Sequence, residues 1–196
     1  MLRDLIVGPH QISFDITNKC NLRCLHCYNS SGENLASQNE LTDQEVLDFI
    51  DEFKSIKLLN FCFCGGEPLL RKELIVEAAK RLRTYGCENV AMVSNGILMT
   101  DEVIEELINA GVTRIQISLD GIKAESHDRI RNKKGVYEKA TRAIEALVKH
   151  GVDTAVAFTP TSFNISELRA VRGRSVKKSL FPATIVHGHS GTIFTQ

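Results

Sequence analysis

The chain has 196 residues, of which 43% are hydrophobic and 24% are charged, and its formal net charge is zero. This length favours one domain over two, and this composition excludes a fibrous protein and a disordered tail. No apolar stretch approaches the ~18 residues of a membrane-spanning helix, and the N-terminus lacks a signal-peptide pattern. We therefore expect a cytoplasmic protein without a membrane partner.

The first predicted element is a strand at 11–17, and a loop with three cysteines follows it. Cys20, Cys24 and Cys27 form the pattern C-x3-C-x2-C. Thiols stay reduced in the cytoplasm, so clustered cysteines there indicate metal binding or redox chemistry rather than disulfides. Three thiolates can hold three irons of an iron–sulfur cubane and leave the fourth iron open for a small molecule. The spacing favours such a cluster.

A structural zinc site is the alternative interpretation of this loop. Zinc takes four protein ligands, usually in two pairs, and the fourth would come from His26, Cys62, Cys64 or a distant residue. His26 adjoins Cys27 and would bind with poor geometry, whereas Cys64 remains available. The missing second pair favours the cluster over zinc.

A helix and a second strand come next. Apolar residues at helical spacing predict a helix at 43–55, and Thr42 with Glu45 forms a capping box at its start. The strand predicted at 58–63 ends in the sequence Cys-Gly-Gly-Glu-Pro at 64–68. Glycine pairs permit a close approach of the backbone to a ligand, so this loop is a second candidate site segment.

Three further helix–strand pairs are predicted. Their strands lie at 89–94, 112–119 and 152–159. The first ends in Ser-Asn-Gly at 94–96 and the second in Ser-Leu-Asp-Gly at 118–121. Apolar residues at helical spacing predict the three helices. They are Leu74, Ile75, Ala78, Ala79 and Leu82 for the first, Val103, Ile104, Leu107 and Ile108 for the second, and Ala140, Ala143, Ile144, Leu147 and Val148 for the third.

This alternation predicts an α/β fold in which right-handed crossovers join parallel strands. A barrel and an open doubly wound sheet both fit, and periodicity does not choose between them. In both architectures the ligand binds outside the carboxyl ends of the strands. The four motif-bearing loops are therefore expected to converge on one rim.

The motifs resemble those of the radical S-adenosylmethionine (SAM) superfamily. The segments "CNLRCLHCY" and "FCGGEPLL" are most similar to its SPASM-associated branch, which includes peptide- and protein-maturing enzymes. The resemblance covers 11–168, most of the chain. It implies a partial (β/α)6 barrel, similar to a TIM barrel and incomplete at its C-terminal end.

The resemblance implies two cofactors, a [4Fe–4S] cluster held by Cys20, Cys24 and Cys27, and SAM bound at the open iron. In that family one electron from the reduced cluster cleaves SAM, and the resulting 5′-deoxyadenosyl radical abstracts hydrogen from a substrate. The implied substrate is a peptide or protein, and the implied partner is a reductant such as ferredoxin or flavodoxin. The catalytic residues stay unassigned.

Two rim loops are implied to contact SAM. By resemblance, Gly65, Gly66 and Glu67 hold the SAM amino group, and Ser94 and Asn95 contact its ribose or carboxylate. The alternative for the first loop is an ordinary turn that places Glu67 at a helix N-terminus. Ser-Asn-Gly is likewise a common turn sequence.

The fourth strand contributes further candidates. Ser118 and Asp120 end an apolar strand at the functional rim, which favours a ligand-binding role. Arg131 is a candidate partner for the SAM carboxylate, because a guanidinium pairs bidentately with such groups. Arg129 is equally reachable by sequence, and at least one of these two arginines is expected to be solvated.

The cysteines outside the first loop are expected to pack in the interior rather than to bind a metal. Cys62 and Cys64 alternate with phenylalanines on the second strand and are expected to be small buried hydrophobes, as is Cys87 in a structural role. His26 stands where many relatives have an aromatic residue whose backbone contacts adenine. Tyr28 is expected either beside the cluster or in the core.

The sequence changes character near its end. A fifth helix is expected after the last strand, with Asn164 or Ser166 as its cap, and 1–170 then forms the radical SAM core. The tail at 171–196 has no sustained helical periodicity, and no acidic residue follows Glu167. The segment "ATIV" at 183–186 is a candidate substitute for a sixth strand.

Two hypotheses account for this tail. A truncated or frame-shifted reading frame is favoured over a basic tail that binds a partner, because the change is abrupt. Nucleic acid is disfavoured because no aromatic residues interleave with the basic ones. Truncation also leaves open that the chain is an inactive fragment or a non-catalytic zinc- or iron–sulfur-binding module.

Overall fold

Six parallel strands form a single sheet in the computed structural model, which describes residues 9–32, 39–56, 58–171 and 183–185. Each strand pairs with the one before it and the one after it in the sequence. The strands are β1 (Gln11–Thr17), β2 (Asn60–Gly65), β3 (Asn89–Ser94), β4 (Arg114–Ser118), β5 (Asp153–Phe158) and β6 (Ala183–Ile185).

Within the described ranges, five α-helices lie between β1 and β5. The first predicted helix ends earlier than expected, and a 3-10 turn at Glu52–Ser55 completes the segment. The helix at 124–131 was not predicted, because its sequence is mostly charged and polar. The helices are α1 (Asp43–Asp51), α2 (Lys72–Thr84), α3 (Asp101–Asn109), α4 (Ala124–Arg131) and α5 (Val136–Lys149).

The order of the strands resolves the choice that periodicity left open. In a doubly wound sheet the strand order reverses at a switch point, whereas here it runs from β1 to β6 without reversal. A consecutive parallel order is that of a barrel, so the expected partial barrel is confirmed. The proposed sixth strand at 183–186 is present as Ala183–Ile185 and pairs with β5, while residue 186 lies outside the described residues.

The two faces of the sheet differ in chemistry. On β2, Phe61 and Phe63 are fully buried on the face that the helices cover, and the Phe61 ring packs against Phe53 after α1. Cys62 and Cys64 alternate with them and point to the opposite, concave face, where they are only half-buried. The concave face is therefore more accessible than the helix-covered core.

The segment after β5 differs from the expected fifth helix. A 3-10 turn at Ile165–Glu167 comes first, and helical residues follow at 168–171. Asn164 flanks this turn without a side-chain capping bond, and Ser166 lies inside it, so neither acts as the expected cap. The rest of the tail, apart from β6, lies outside the described residues.

No helix within the described ranges is both long and apolar enough to cross a membrane.

Candidate functional site

The cysteine loop lies at the carboxyl end of β1, and each of its three thiols receives one N–H group. The Leu22 amide lies 3.4 Å from Cys20 Sγ, and the Ser31 amide lies 3.3 Å from Cys27 Sγ. The third donor is the guanidinium of Arg131, whose Nη1 lies 3.7 Å from Cys24 Sγ. All three thiols are free and half-buried. N–H groups directed at sulfur stabilise a thiolate, the form that binds iron.

The donor set fits an iron–sulfur cubane better than a single metal ion. Among the described residues, no three histidine, cysteine, aspartate or glutamate side chains converge to hold one ion. A structural zinc centre needs four protein ligands on one ion, whereas in a cubane each thiolate binds a different iron. Burial raises the pKa of the Cys20 and Cys24 thiols, so binding of iron must displace their protons.

The glycine pair after β2 packs directly against the start of the cysteine loop. The Gly66 amide donates to the Thr17 carbonyl at 2.8 Å, and the Glu67 amide donates to the Lys19 carbonyl at the same distance. A Cβ on Gly65 would collide with the Thr17 carbonyl, and one on Gly66 with the Lys19 carbonyl. Only glycine allows this approach, which fixes the backbone that leads to Cys20.

Glu67 is fully buried and joins two rim loops. Its Oε1 accepts from the Ser94 hydroxyl at 2.8 Å and from the Leu69 amide at 3.2 Å, and its Oε2 accepts from the Asn95 amide at 2.9 Å. Burial raises its pKa. The carboxylate therefore caps the turn at Pro68–Arg71 and holds the end of β3. Contact of Gly65, Gly66 and Glu67 with the SAM amino group stays a prediction.

Asn95 connects the end of β3 to the cysteine loop. Its amide nitrogen donates to Asn21 Oδ1 at 2.7 Å, and its side-chain oxygen accepts from the Ile97 amide at 3.0 Å. Asn21 directly follows Cys20 and was not singled out from the sequence. The partners are 74 positions apart, so no local spacing could have indicated the pair.

Asp120 is fully buried, and both oxygens of its carboxylate contact protein groups. Oδ1 accepts from the Thr159 amide at 2.9 Å, while Oδ2 lies 2.6 Å from Arg131 Nη2 and 3.5 Å from His26 Nε2. This carboxylate therefore orients neighbouring rim residues, and its contact with SAM stays a prediction. Ser118, the last residue of β4, is half-buried, and its role stays a prediction.

The structure distinguishes the two candidate arginines. Arg131, at the end of α4, is 9% exposed and lies between Cys24 and Asp120. Arg129 is exposed, and its guanidinium stacks 4.1 Å from the Phe163 ring centroid. Arg131 is thus the arginine at the cysteine loop, and its contact with the SAM carboxylate stays a prediction.

Two buried polar residues form hydrogen bonds with the backbone of Asp120. His127 Nδ1 accepts from the Asp120 amide at 3.0 Å, and burial lowers the pKa of this imidazole to about 4. The Asn164 side chain donates to the carbonyls of Asp120 at 3.0 Å and of Thr159 at 2.9 Å. Sequence reasoning did not assign these roles, since Asn164 was expected to cap a helix.

The remaining cysteines differ in burial. Cys87 is 3% exposed and its thiol donates to the Asn89 carbonyl at 3.5 Å, which fits the expected structural role. Cys62 and Cys64 are half-buried, so the expectation that they are buried hydrophobes is wrong. Tyr28 is 67% exposed and does not belong to the core.

A consecutively ordered parallel sheet with three thiols on the loop after β1 and a glycine loop after β2 defines an α/β domain with a candidate cluster site. The family model described as the radical SAM superfamily matches residues 14–171. The chain therefore belongs to the radical SAM superfamily, which confirms the resemblance of its motifs. This family uses a [4Fe–4S] cluster and SAM as cofactors.

Curated relatives and solved structures agree with this assignment. The AdoMet-dependent heme synthase of Methanosarcina barkeri is 36% identical over 164 residues, which cover 82% of this chain and 45% of that protein. The mycofactocin maturase MftC of Mycolicibacterium smegmatis is 34% identical over 164 residues, with 82% and 40% covered. The chain thus spans less than half the length of these relatives.

A solved structure supports the fold. The crystal structure of Streptococcus suis SuiB bound to S-adenosylmethionine superposes with a TM-score of 0.79, at 12% sequence identity. The superposition covers 95% of this chain and 42% of that one. At this identity the likeness establishes the fold alone.

Proposed function

We propose that Cys20, Cys24 and Cys27 hold a [4Fe–4S] cluster whose open iron binds SAM. The observation that carries this proposal is the set of three N–H donors, one at each thiol, on the loop after the first strand. When bound, the two cofactors supply reductive cleavage of SAM to a 5′-deoxyadenosyl radical, which abstracts hydrogen from the substrate.

The chain's own residues supply binding and orientation. Gly65 and Gly66 bring the backbone of their loop against the cysteine loop, where it can face the SAM amino group. Arg131 places a buried positive charge beside Cys24, close to where the SAM carboxylate would bind. The predicted set of SAM contacts is completed by Glu67, Ser94, Asn95, Ser118 and Asp120.

Buried hydrogen bonds hold these loops in position before any ligand arrives. Glu67 joins the glycine loop to β3, Asn95 joins β3 to Asn21, and Asp120 holds Arg131 in place. Such preorganisation lowers the cost of orienting a bound cofactor. Asp120 therefore serves as a positioning residue in this proposal.

The proposed substrate is a peptide or protein side chain. The similarity to a mycofactocin maturase supports this class. The similarity to an AdoMet-dependent heme synthase favours a second candidate, a precursor of heme. Incubation of the reduced, SAM-loaded protein with each class separates the candidates, because only the true substrate raises 5′-deoxyadenosine production above the uncoupled rate.

The proposed electron donor is a small acidic one-electron carrier such as flavodoxin or ferredoxin. Leu25, next to Cys24, is 61% exposed, and the exposed Lys133 and Lys134 lie with it along a groove of about 700 Å³. Lys133 Nζ also reaches the Asn21 carbonyl at 3.4 Å. Arg129 and two acidic residues, Glu125 and Asp128, also line this groove, so its charged lining carries a net charge of +1. A net positive charge beside the cluster loop suits an acidic partner.

Anaerobic reconstitution with iron and sulfide, followed by EPR of the reduced protein with and without SAM, tests the cluster proposal. We expect a cubane signal that shifts when SAM is added, and formation of 5′-deoxyadenosine. Cys24→Ala should lose the signal, whereas the matched control Cys87→Ala should keep it. Absence of a cluster from folded protein, or stoichiometric zinc in its place, would favour the alternative of an inactive fragment or zinc-binding module.

A further inference from the structure

Two thiols on β2 take no part in the proposed cluster. Cys62 Sγ and Cys64 Sγ lie 3.5 Å apart, and both are free and half-buried. They occupy alternate positions of one strand and therefore share its concave face, while Phe61 and Phe63 fill the core on the other side. The pair is thus a thiol cluster on an accessible surface.

The strand geometry disfavours a disulfide between these two residues. Alternate residues of a strand have Cα atoms about 6.6 Å apart, which is at the upper end of the range that disulfides accept. Two sulfurs bound to one tetrahedral metal ion at about 2.3 Å each are about 3.8 Å apart. The observed separation of 3.5 Å is close to that value. The pair is therefore better arranged to chelate an ion than to form a covalent bond.

The surroundings leave room for an ion and favour a thiolate. In the sheet register Cys62 lies beside Ser13 and Ala91, both small residues, and Cys64 lies beside Asp15. The hydrogen bond from the Cys64 thiol lowers the pKa of Cys62, and the positive charge of Arg114 lowers it further, against the effect of burial. The same hydrogen bond and burial raise the pKa of Cys64, so a bound ion must displace the Cys64 proton. Cys62 also lines a cavity of about 360 Å³ on this face.

We propose that Cys62 and Cys64 form a two-thiolate site for a thiophilic divalent metal ion, separate from the cluster cysteines. Binding forms two metal–sulfur bonds and releases two thiol protons to solvent. Within the described ranges no third histidine, cysteine, aspartate or glutamate side chain converges on the pair. The ion therefore keeps coordination positions open for water or a substrate atom on the concave face.

Anaerobic titration with Cd²⁺ tests this site, because cadmium–thiolate bonds absorb in the near ultraviolet. In protein whose cluster cysteines are replaced (Cys20→Ser, Cys24→Ser and Cys27→Ser), we expect one Cd²⁺ per chain and release of two protons. Adding Cys62→Ser and Cys64→Ser should abolish this binding, whereas adding Cys87→Ser should leave it unchanged. Circular dichroism verifies that each variant is folded.

A second preparation keeps the test decisive if the triple variant does not fold. There the wild-type chain is first reconstituted with iron and sulfide, so that the cluster occupies its three cysteines before Cd²⁺ is added. Saturable binding that survives the Cys62→Ser and Cys64→Ser replacements would overturn the proposal. So would the lack of stoichiometric binding to folded protein that retains both thiols.

Discussion

The guanidinium of Arg131 lies 3.7 Å from the sulfur of Cys24, although 107 positions separate the two residues. The Nη2 atom of the same guanidinium lies 2.6 Å from Oδ2 of the fully buried Asp120. One side chain at the end of α4 thus connects a cluster thiol to a buried carboxylate. This arrangement places a buried ion pair, Arg131 with Asp120, next to the cysteine loop.

Replacement of Arg131 by methionine should destabilise the fold. The Asp120 carboxylate would remain buried without its counter-charge, which costs about 3–5 kcal/mol. Arg129→Met is the matched control, since that guanidinium is exposed and its stacking on Phe163 contributes about 1 kcal/mol or less. Urea unfolding of the two variants measures the difference. Equal losses would contradict the inferred burial of the Arg131–Asp120 pair.

Gly66→Ala should disturb the cysteine loop. The new Cβ would meet the Lys19 carbonyl, so either the loop after β2 or the backbone before Cys20 must move. We expect a loss of about 1–3 kcal/mol in stability and less iron per chain after reconstitution. Gly86→Ala is the control, because it lies in open space and suffers only from its φ of +87°. An unchanged iron content in Gly66→Ala would refute this account of the loop.

The buried His127 should make stability depend on pH. Its folded-state pKa of about 4 lies below the ~6.5 of an exposed imidazole, so between these values the unfolded chain binds a proton that the folded chain excludes. The contribution of the neutral ring is present above about pH 6.5 and is lost as the pH falls towards 4, which amounts to about 3 kcal/mol.

His127→Gln provides the measurement for this effect. Glutamine can still accept from the Asp120 amide but does not titrate. The difference in unfolding free energy between variant and wild type should therefore change between about pH 7 and about pH 4.5. Asp120, Asp128, Arg131 and His26 also act on this imidazole. A difference that stays constant with pH would assign the acid sensitivity to those groups.

Charge reversal at the proposed docking groove should slow reduction of the cluster. With Lys133→Glu and Lys134→Glu combined, we expect the reduction rate by an acidic flavodoxin to fall on the order of tenfold at low ionic strength. Reduction by dithionite should not change, since a small reductant needs no docking surface. Lys139→Glu with Lys149→Glu, on α5, is the matched control. Equal slowing by both double variants would indicate a general charge effect.

The sequence predicted those parts of the fold in which one side of an element is apolar. The strand boundaries at 11–17 and 89–94 match the structure residue for residue. The helix α4 escaped prediction because its buried side combines Ile130 with the polar His127 and Arg131. A helix that buries charge against a functional site does not display the usual periodicity.

The candidate site was predictable only in its local motifs. The cysteine spacing and the glycine pair are readable along the chain. The Asn21–Asn95 and Cys24–Arg131 partnerships depend on which strands become neighbours. The exposure of Cys62 and Cys64 also depends on tertiary structure, because alternation in "FCFC" does not say which side the helices cover.

The consecutive strand order also bears on how the chain folds. Because every strand pairs with its neighbours in sequence, each pairing closes one crossover connection rather than a loop that spans the whole chain. The bond between Arg131 and Cys24 spans 107 positions and can form only after four strands and α4 have assembled. The native environment of the first loop therefore depends on a residue far along the chain.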